Sequence, residues 1–582
     1  MRKSVWALLA LAAAPLQAQV AEQWELTNAR VGVRLNAGLL SGLGVRVSPA
    51  AAVDGDGYAS YRFGVEGSFV ATATGGIFRT VSAGELRLSG GPAFQARVVT
   101  VSLEGASLRP GDEPSTFAIQ AADGSPLFVA DHQHVTIDRA ARTARLYHLD
   151  LRLSQELAAR LGHARLANVA IGQLEINAVA KIPFGSQERL FGACVTPNWG
   201  LPDNDVGLLS ISPIQQVAAG GGVVAISPSA TLRNVGATEV PWISKFSPPA
   251  PPYSNDQHPF LVWGMYRLTD GRLEQIGASG LKHAFLTVNS NCDCAGGAIL
   301  WVGCEDTYGV GTNNSTNSLG PRTEVTAHTG VWQRCGSIFD PDCDNVQNTP
   351  PGFSGPADAR RLTVLETDLS NVLNRTRFYF DAWYVVRDDT DIFNTMGYRR
   401  VVPSLSGTTW AIDPVTPLAA GSVVDAWVNP VAHGPNAENK RVDTGEGHLT
   451  VGVRVRNVSA GGRGVGGSLW RYEYAVMNHD FDRRIKSFTM QVPLGATVSD
   501  MTFHDVDRDP ATDWLRSTSP GWLAWNAPTG VANAPQDWGL LYSFGFVTSS
   551  APSAPGGATL RLGIEEAPGG ELTIEILGPS IP

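Results

Sequence analysis

Apolar and polar residues alternate one by one through much of this chain. Between residues 24 and 185 the runs WELTNARVGVRL, YRFGVEGSFVATAT, ELRLSG and FQARVVTVSLEG follow a period of two. Gly, Pro and Asp clusters punctuate them every ~8–12 positions, the spacing of an antiparallel sandwich or barrel. A helical pattern stands out at SQELAARLG, residues 154–162. There Ser154 can cap the first free N–H groups and Gly162 can take the left-handed closing conformation. A short helical turn is also expected in LETDLSNVL, residues 365–373.

After a break at 183–205 comes a glycine-rich strand pair, then a proline-dense loop, FSPPAPPY, at 246–253. HPFLVWGMYRLTDGRLEQIG reads as a hairpin turning at Thr269-Asp270-Gly271. RFYFDAWYVV, residues 377–386, is the strongest strand signal of all. From about Asp443 seven alternating runs, HLTVGVRVRNV to ELTIEIL, suit an immunoglobulin-like or fibronectin-like sandwich. The expected fold class is mainly β, built as multi-domain antiparallel β-sandwiches. The expected organisation is a signal peptide at 1–18, an N-terminal β domain at 19–190, a central β-rich domain with a cysteine cluster at 205–440, and a C-terminal β-sandwich at 441–582.

The first residues explain where the chain goes. Arg2 and Lys3 precede the apolar stretch VWALLALAAAPL, and Ala18 offers a small residue before a cut. That is the layout of a secretory signal, and the stretch is too short to cross a ~30 Å hydrocarbon core. The expected location is therefore outside the cytoplasm: secreted, periplasmic or cell-surface, with no transmembrane anchor. Six cysteines, all beyond the signal, fit disulfides in that compartment. Cys335 and Cys343 form a natural short-range pair. Cys304 is expected to take Cys292 or Cys294 and leave the other for Cys194. Zinc is the alternative, but Cys292-x-Cys294 is one residue tighter than the usual knuckle.

Charge removes two function classes. With 44 Lys+Arg against 54 Asp+Glu, the net charge is −10. A nucleic-acid binder needs a basic face for phosphates, and a polybasic membrane-surface protein needs a lysine- and arginine-rich segment.

The sharpest chemical motif is DVDRDPATD. Asp505, Asp507, Asp509 and Asp513 alternate through one loop, which can deliver several carboxylates to a hard cation such as Ca2+. Pro510 and Arg516 stand where an EF-hand has Gly and Glu, so the choice is a looser calcium loop or an Asp-rich turn capping its own N–H groups. Asp340, Asp342 and Asp344 around Cys343, and Asp54 with Asp56, pose the same choice. His132-x-His134 on a strand would project two imidazoles from one face, suited to copper or zinc. His258, His283 and His328 could supply a three-ligand metal centre if the fold gathers them. No G-x-S-x-G, H-E-x-x-H, phosphate-loop or C-x-x-C-H motif occurs. Glu305, Asp306, Glu324, Glu366 and Asp381 could furnish a glycosidase pair. The tryptophans of the second half are either core or sugar-stacking platforms.

The blocks HPFLVWGMYRLTDGRLEQIGASGLKHAFL, GCEDTYGVGTNNSTNSLGPRTEV, WRYEYAVMNHDFDRRIKSFTMQVP, MTFHDVDRDPATDW and WGLLYSFGF resemble a group of large secreted bacterial proteins of the planctomycete type, over about residues 205–570. The resemblance implies export and an all-β build, and carries over no catalytic residue. Taken together, the expected function is an exported, non-enzymatic protein with a structural or surface- and ligand-binding role toward extracellular glycans. An extracellular metal-dependent or carbohydrate-active enzyme, or a carbohydrate-binding protein, is the alternative.

Overall fold

The computed structural model describes residues 21–582 apart from 97–98, 184–185, 187–193, 195–202, 248–257, 371–375, 460–467, 567–568 and 582. The expected signal at 1–18 and most of the proline-dense loop lie outside the described residues.

The chain is mainly β and antiparallel. In the N-terminal region the strands Ala21–Asn36, Tyr58–Thr74, Ile77–Ser89, Ser107–Pro110, Phe117–Gln120, Pro126–Asp131, Thr143–Leu153 and Ala170–Lys181 pair in a closed ring. This region is a barrel rather than an open sandwich. The period of two decides what the barrel encloses. Trp24, Leu26, Val31, Val33 and Leu35 alternate inward with Leu86, Phe117, Leu146 and Ile176, while Glu25, Arg30 and Arg34 face out or lie part-exposed. Side chains fill the interior, as expected for a small barrel. The strand His134–Asp138 continues Pro126–Asp131 along the same partner, with the ladder interrupted at His132 and Gln133. The expected helix runs over Gln155–Arg160, with Ser154 accepting from Leu157 N at 3.0 Å and Gly162 at φ 87°.

The central region is organised around an eleven-stranded sheet in which Phe260–Thr269 pairs with Arg377–Val385 and with Arg272–Ala278. Both long strands are buried over most of their length, which is why they read as nearly continuous apolar runs. Asp270 and Gly271 take φ 51° and 87° between the paired residues Thr269 and Arg272. That is the two-residue turn whose twist matches the strands, and it favours Asp-Gly because both positions need positive φ. A short helix, Glu366–Ser370, fills part of the predicted 365–373 turn.

Two five-stranded sheets form the C-terminal sandwich. One contains Ala437–Asp443, His448–Asn457, Trp470–Asn478, Leu540–Thr548 and Val498–His504. The other contains Leu515–Ser519, Trp522–Asn526, Ile485–Gln491, Ala558–Ile564 and Gly570–Ile576. Between them pack Tyr472, Tyr474, Phe488, Trp525, Phe544 and Leu562. Phe488 and Phe544 stack with centroids 4.2 Å apart. Trp301, Trp332, Trp383, Trp410, Trp427, Trp514, Trp525 and Trp538 are likewise buried, so these indoles are core.

All six cysteines pair, as Cys194–Cys294, Cys292–Cys304 and Cys335–Cys343. Cys292 and Cys294 serve two different disulfides, which removes the zinc alternative for these thiols. Three disulfides fit an extracellular or cell-surface protein. No helix among the described residues is long and apolar enough to cross a membrane.

Candidate ligand cleft and histidine clusters

The Asp270–Gly271 turn projects toward the C-terminal sandwich, and three adjoining depressions of about 420, 560 and 320 Å³ surround it. Their walls are rich in arginine. In the first, Arg267 pairs with Glu274 at 2.7 Å and Asp368 at 2.9 Å, and Arg471 pairs with Glu473 at 2.6 Å and with Asp500. In the second, Arg377 and Arg400 from the central sheet face Arg454 and Arg456 from the sandwich. None of these four forms an ion pair with a carboxylate among the described residues. Among the described residues Asp270 is the sole acid in that wall, while Glu473, opposite Arg454 in register, lines the adjoining depression. Burial lowers the Arg454 guanidinium, and the charge of Arg377 adds to the effect. The Trp427 indole donates to Gly271 O at 3.0 Å and fixes the turn against the helix Val424–Trp427. Alternation puts Arg454 and Arg456 on one face of their strand.

The histidines do not gather as the sequence suggested. His258 and His283 meet, with Nε2 of the first 2.9 Å from Nδ1 of the second, both buried. His258 Nδ1 lies 2.8 Å from Ile243 O. The carbonyl can only accept, so His258 donates there and must accept from His283 Nδ1. Burial pushes His258 down to about 3 and His283 well below its ordinary range, so both rings are neutral. His328 does not join them. It sits beyond the strand Val325–Thr326, 3.0 Å from Asp480 of the sandwich. A three-histidine centre at 258, 283 and 328 is therefore not formed.

His132 and His134 also part company. His132 adopts φ 59° where the ladder is interrupted, so the alternation that would align the two rings is broken. His134 turns into an aromatic nest of Tyr147, His148, Phe285 and Tyr308, with centroids 5.2–5.8 Å away. His132 joins Asp131, Asp150 and Arg152. Arg152 Nε donates to Asp131 at 2.8 and 2.9 Å, and its Nη2 donates to Asp150 at 3.3 Å and lies 3.0 Å from His132 Nδ1. Asp150, fully buried, also accepts from Val310 N at 2.7 Å and Gly311 N at 3.0 Å, binding the barrel wall to the central region. Burial opposes ionisation of both Asp131 and His132. Their mutual hydrogen bond outweighs it, lowering Asp131 and, with help from Asp150, raising His132.

The second joint was not legible in the sequence. His328 from the central region and His448 from the sandwich converge on Asp480, which is 2 % exposed. Asp482 beside it accepts from Ala327 N at 2.8 Å, which anchors the loop carrying His328. Burial pushes the Asp482 carboxyl up to about 6.

In the DVDRDPATD loop, Asp507 accepts from Asp509 N at 2.8 Å and Asp509 from Ala511 N at 2.9 Å. Asp505 is buried with one oxygen unpartnered, and burial followed by the charges of Asp507 and Asp513 pushes it up to about 7. Asp340, Asp342 and Asp344 bring carboxylate oxygens within 4.8 Å of one another; among the described residues neither oxygen of buried Asp340 accepts a hydrogen bond, and Arg334 Nε lies 3.8 Å from its Oδ2. Asp54 caps Asp56 N and Tyr58 N, while Asp56 accepts from Thr316 N and Oγ1 at the barrel joint. The acids considered as a glycosidase pair are dispersed among separate partners. Glu305 holds Arg233, Asp306 accepts from Val288 N, Glu324 from Ile338 N and Asp381 from Tyr266.

No family model and no curated protein matches the chain. Among solved structures it is similar to the C-terminal domain of HtaA from Corynebacterium glutamicum, at 10% identity and a TM-score of 0.16, over 27% of this chain and 99% of that one. It is also similar to a "Putative membrane anchored protein" from Corynebacterium diphtheriae, at 10% identity and a TM-score of 0.14, over 97% and 87% of the two chains. Likenesses of this size carry no argument about function.

Proposed function

We propose that this chain is an exported β protein that binds an acidic extracellular glycan, carboxylated or sulfated, in the cleft around Asp270–Gly271. The observation that carries the reading is the group Arg377, Arg400, Arg454 and Arg456, four guanidinium groups gathered around an open space with fewer acids, Asp270 in the wall and Glu473 beside it, in a chain of net charge −10. Guanidinium groups match carboxylate and sulfate in charge and in fork geometry. The secretory pattern at the N-terminus and the three disulfides support the exported setting. Calcium at Asp505, Asp507, Asp509 and Asp513 belongs to the same reading. A divalent cation would relieve the crowded charge around Asp505.

The test is binding of the full chain to polygalacturonate, a sulfated glycan and a neutral glucan. Both acidic polymers are expected to bind, and binding weakens as salt shortens the Debye length from ~10 Å at 0.1 M to ~3 Å at 1 M. Each of Arg377→Ala and Arg456→Ala should cost about tenfold, the worth of one charge-assisted hydrogen bond. Equal binding of the neutral glucan, or unchanged affinity in the double variant, would sink the reading.

A further inference from the structure

We propose that His328, His448 and Asp480 bind a divalent transition-metal ion of the zinc class at the joint between the central region and the C-terminal sandwich. Three observations lead there, all independent of the arginine cleft.

The first is geometry. His328 Nδ1 lies 3.0 Å from Asp480 Oδ2, and His448 Nδ1 lies 3.1 Å from both carboxylate oxygens. One ligand atom from each residue falls within 4.8 Å of the other two. Zinc bonds of about 2.0–2.1 Å arranged tetrahedrally put neighbouring ligands roughly 3.3 Å apart, so the side chains need little movement to close on an ion. Two imidazoles and one carboxylate suit zinc and its neighbours, whereas calcium asks for six to eight oxygens. Three protein ligands leave a fourth position for water or an incoming ligand.

The second is support behind the ligands. His448 N donates to Asp480 Oδ1 at 2.5 Å, so the carboxylate is aimed by the backbone as well as by the rings. Asn478 closes the turn behind it, donating to Phe481 O at 2.9 Å and accepting from Phe481 N at 3.0 Å. Asp482 holds the His328 loop through Ala327 N. Outer contacts of this kind fix ligand orientation in metal sites. Gly447 lets the two chain segments approach, since a Cβ there would lie 2.5 Å from Phe481 Cα.

The third is access and the lack of a resident cation. The His328 and His448 side chains are 34% and 27% exposed, so an ion can enter from solvent. The comparable cluster at Asp131, His132 and Asp150 has Arg152 in its midst. No arginine or lysine touches Asp480 among the described residues. Without metal, a ring Nδ1–H that faces Asp480 donates to its carboxylate. For a neutral ring to bind an ion through Nδ1, that proton shifts to Nε2 of the same ring, so the lone pair turns to the metal with no net loss of a proton.

The experiment uses the full chain with its disulfides formed, stripped by chelator and titrated with zinc chloride by calorimetry. One zinc per chain is expected, and excess calcium or magnesium should not displace it. His328→Ala should weaken uptake by ~100-fold or more, since losing even an outer-shell partner costs 10–100-fold in such sites. His132→Ala should leave both stoichiometry and affinity unchanged. His328 is on the surface, so its variant keeps the test decisive even if His448→Ala fails to fold. Less than one equivalent of zinc bound by the native chain at micromolar concentration overturns the proposal. So does an unchanged affinity in His328→Ala.

Discussion

The joint between the barrel and the central region and the joint between the central region and the sandwich are made of the same residue types. In the first, Asp131, His132 and Asp150 surround the Arg152 guanidinium. In the second, His328 and His448 surround Asp480 with no arginine among them. The difference lies in what neutralises the acid. Asp150 has no exposure at all and receives two backbone N–H groups and a guanidinium, so its compensation is complete within the chain. Asp480 is equally deep but faces two rings that are each about a third exposed. A buried acid needs a partner. The first joint carries its own, while the second presents two imidazoles and a carboxylate that can turn their lone pairs to a cation from outside.

The comparison can be broken most sharply at Arg152. Arg152→Met should destabilise the protein by about 3–5 kcal/mol, because it leaves a buried carboxylate without its cation. Denaturant unfolding measures this, and a cost under about 1 kcal/mol would mean the guanidinium is incidental to the joint. A smaller effect is expected on the other side. Gly447 has φ 146° and abuts Phe481, so Gly447→Ala should cost about 1–3 kcal/mol and draw His448 away from Asp480. Unfolding free energy and the His448 ring signals in NMR would report both parts.

The smallest effect concerns pH at the first joint. His132 is raised above its ordinary 6.5, so the stability it contributes is complete below that value and fades as pH rises through its folded value. Asp131 is lowered from 3.8, so its contribution is present above 3.8 and fades as pH falls through its folded value. Between about pH 4 and 6.5 both contributions hold. Unfolding free energy should decline on the alkaline side of that window, and His132→Gln should flatten the decline. An equally steep decline in the variant would place the titrating group elsewhere.

Much of the fold was legible because it depends on neighbours in sequence. HLTVGVRVRNV alternates since one face of its strand is core, and Ser154 with Gly162 brackets a helix through local hydrogen bonds. The pairing of Cys335 with Cys343 spans only 8 residues. Three sandwich strands escaped notice: AENKRVD and LRSTS are polar along most of their length, and WLAWN is short. Barrel closure was equally hidden, since it rests on Pro126–Asp131 meeting Thr143–Leu153 across the ring. The clusters were the least legible. His328 and Asp480 are 152 residues apart, and no local pattern brings them together. His132 was misjudged through a single backbone angle, which re-aims a ring that strand alternation would have set beside His134.

The arginine cleft has walls on two bodies, with Arg377 and Arg400 on one side and Arg454 and Arg456 on the other. Like charges repel across that gap, and Asp270 offsets only part of the repulsion, so the contact between the two regions is loosened at this point. Dissolved ions shield that push over ~8 Å at physiological strength. Added salt should consequently ease the repulsion between these four side chains and let the two regions meet more closely there.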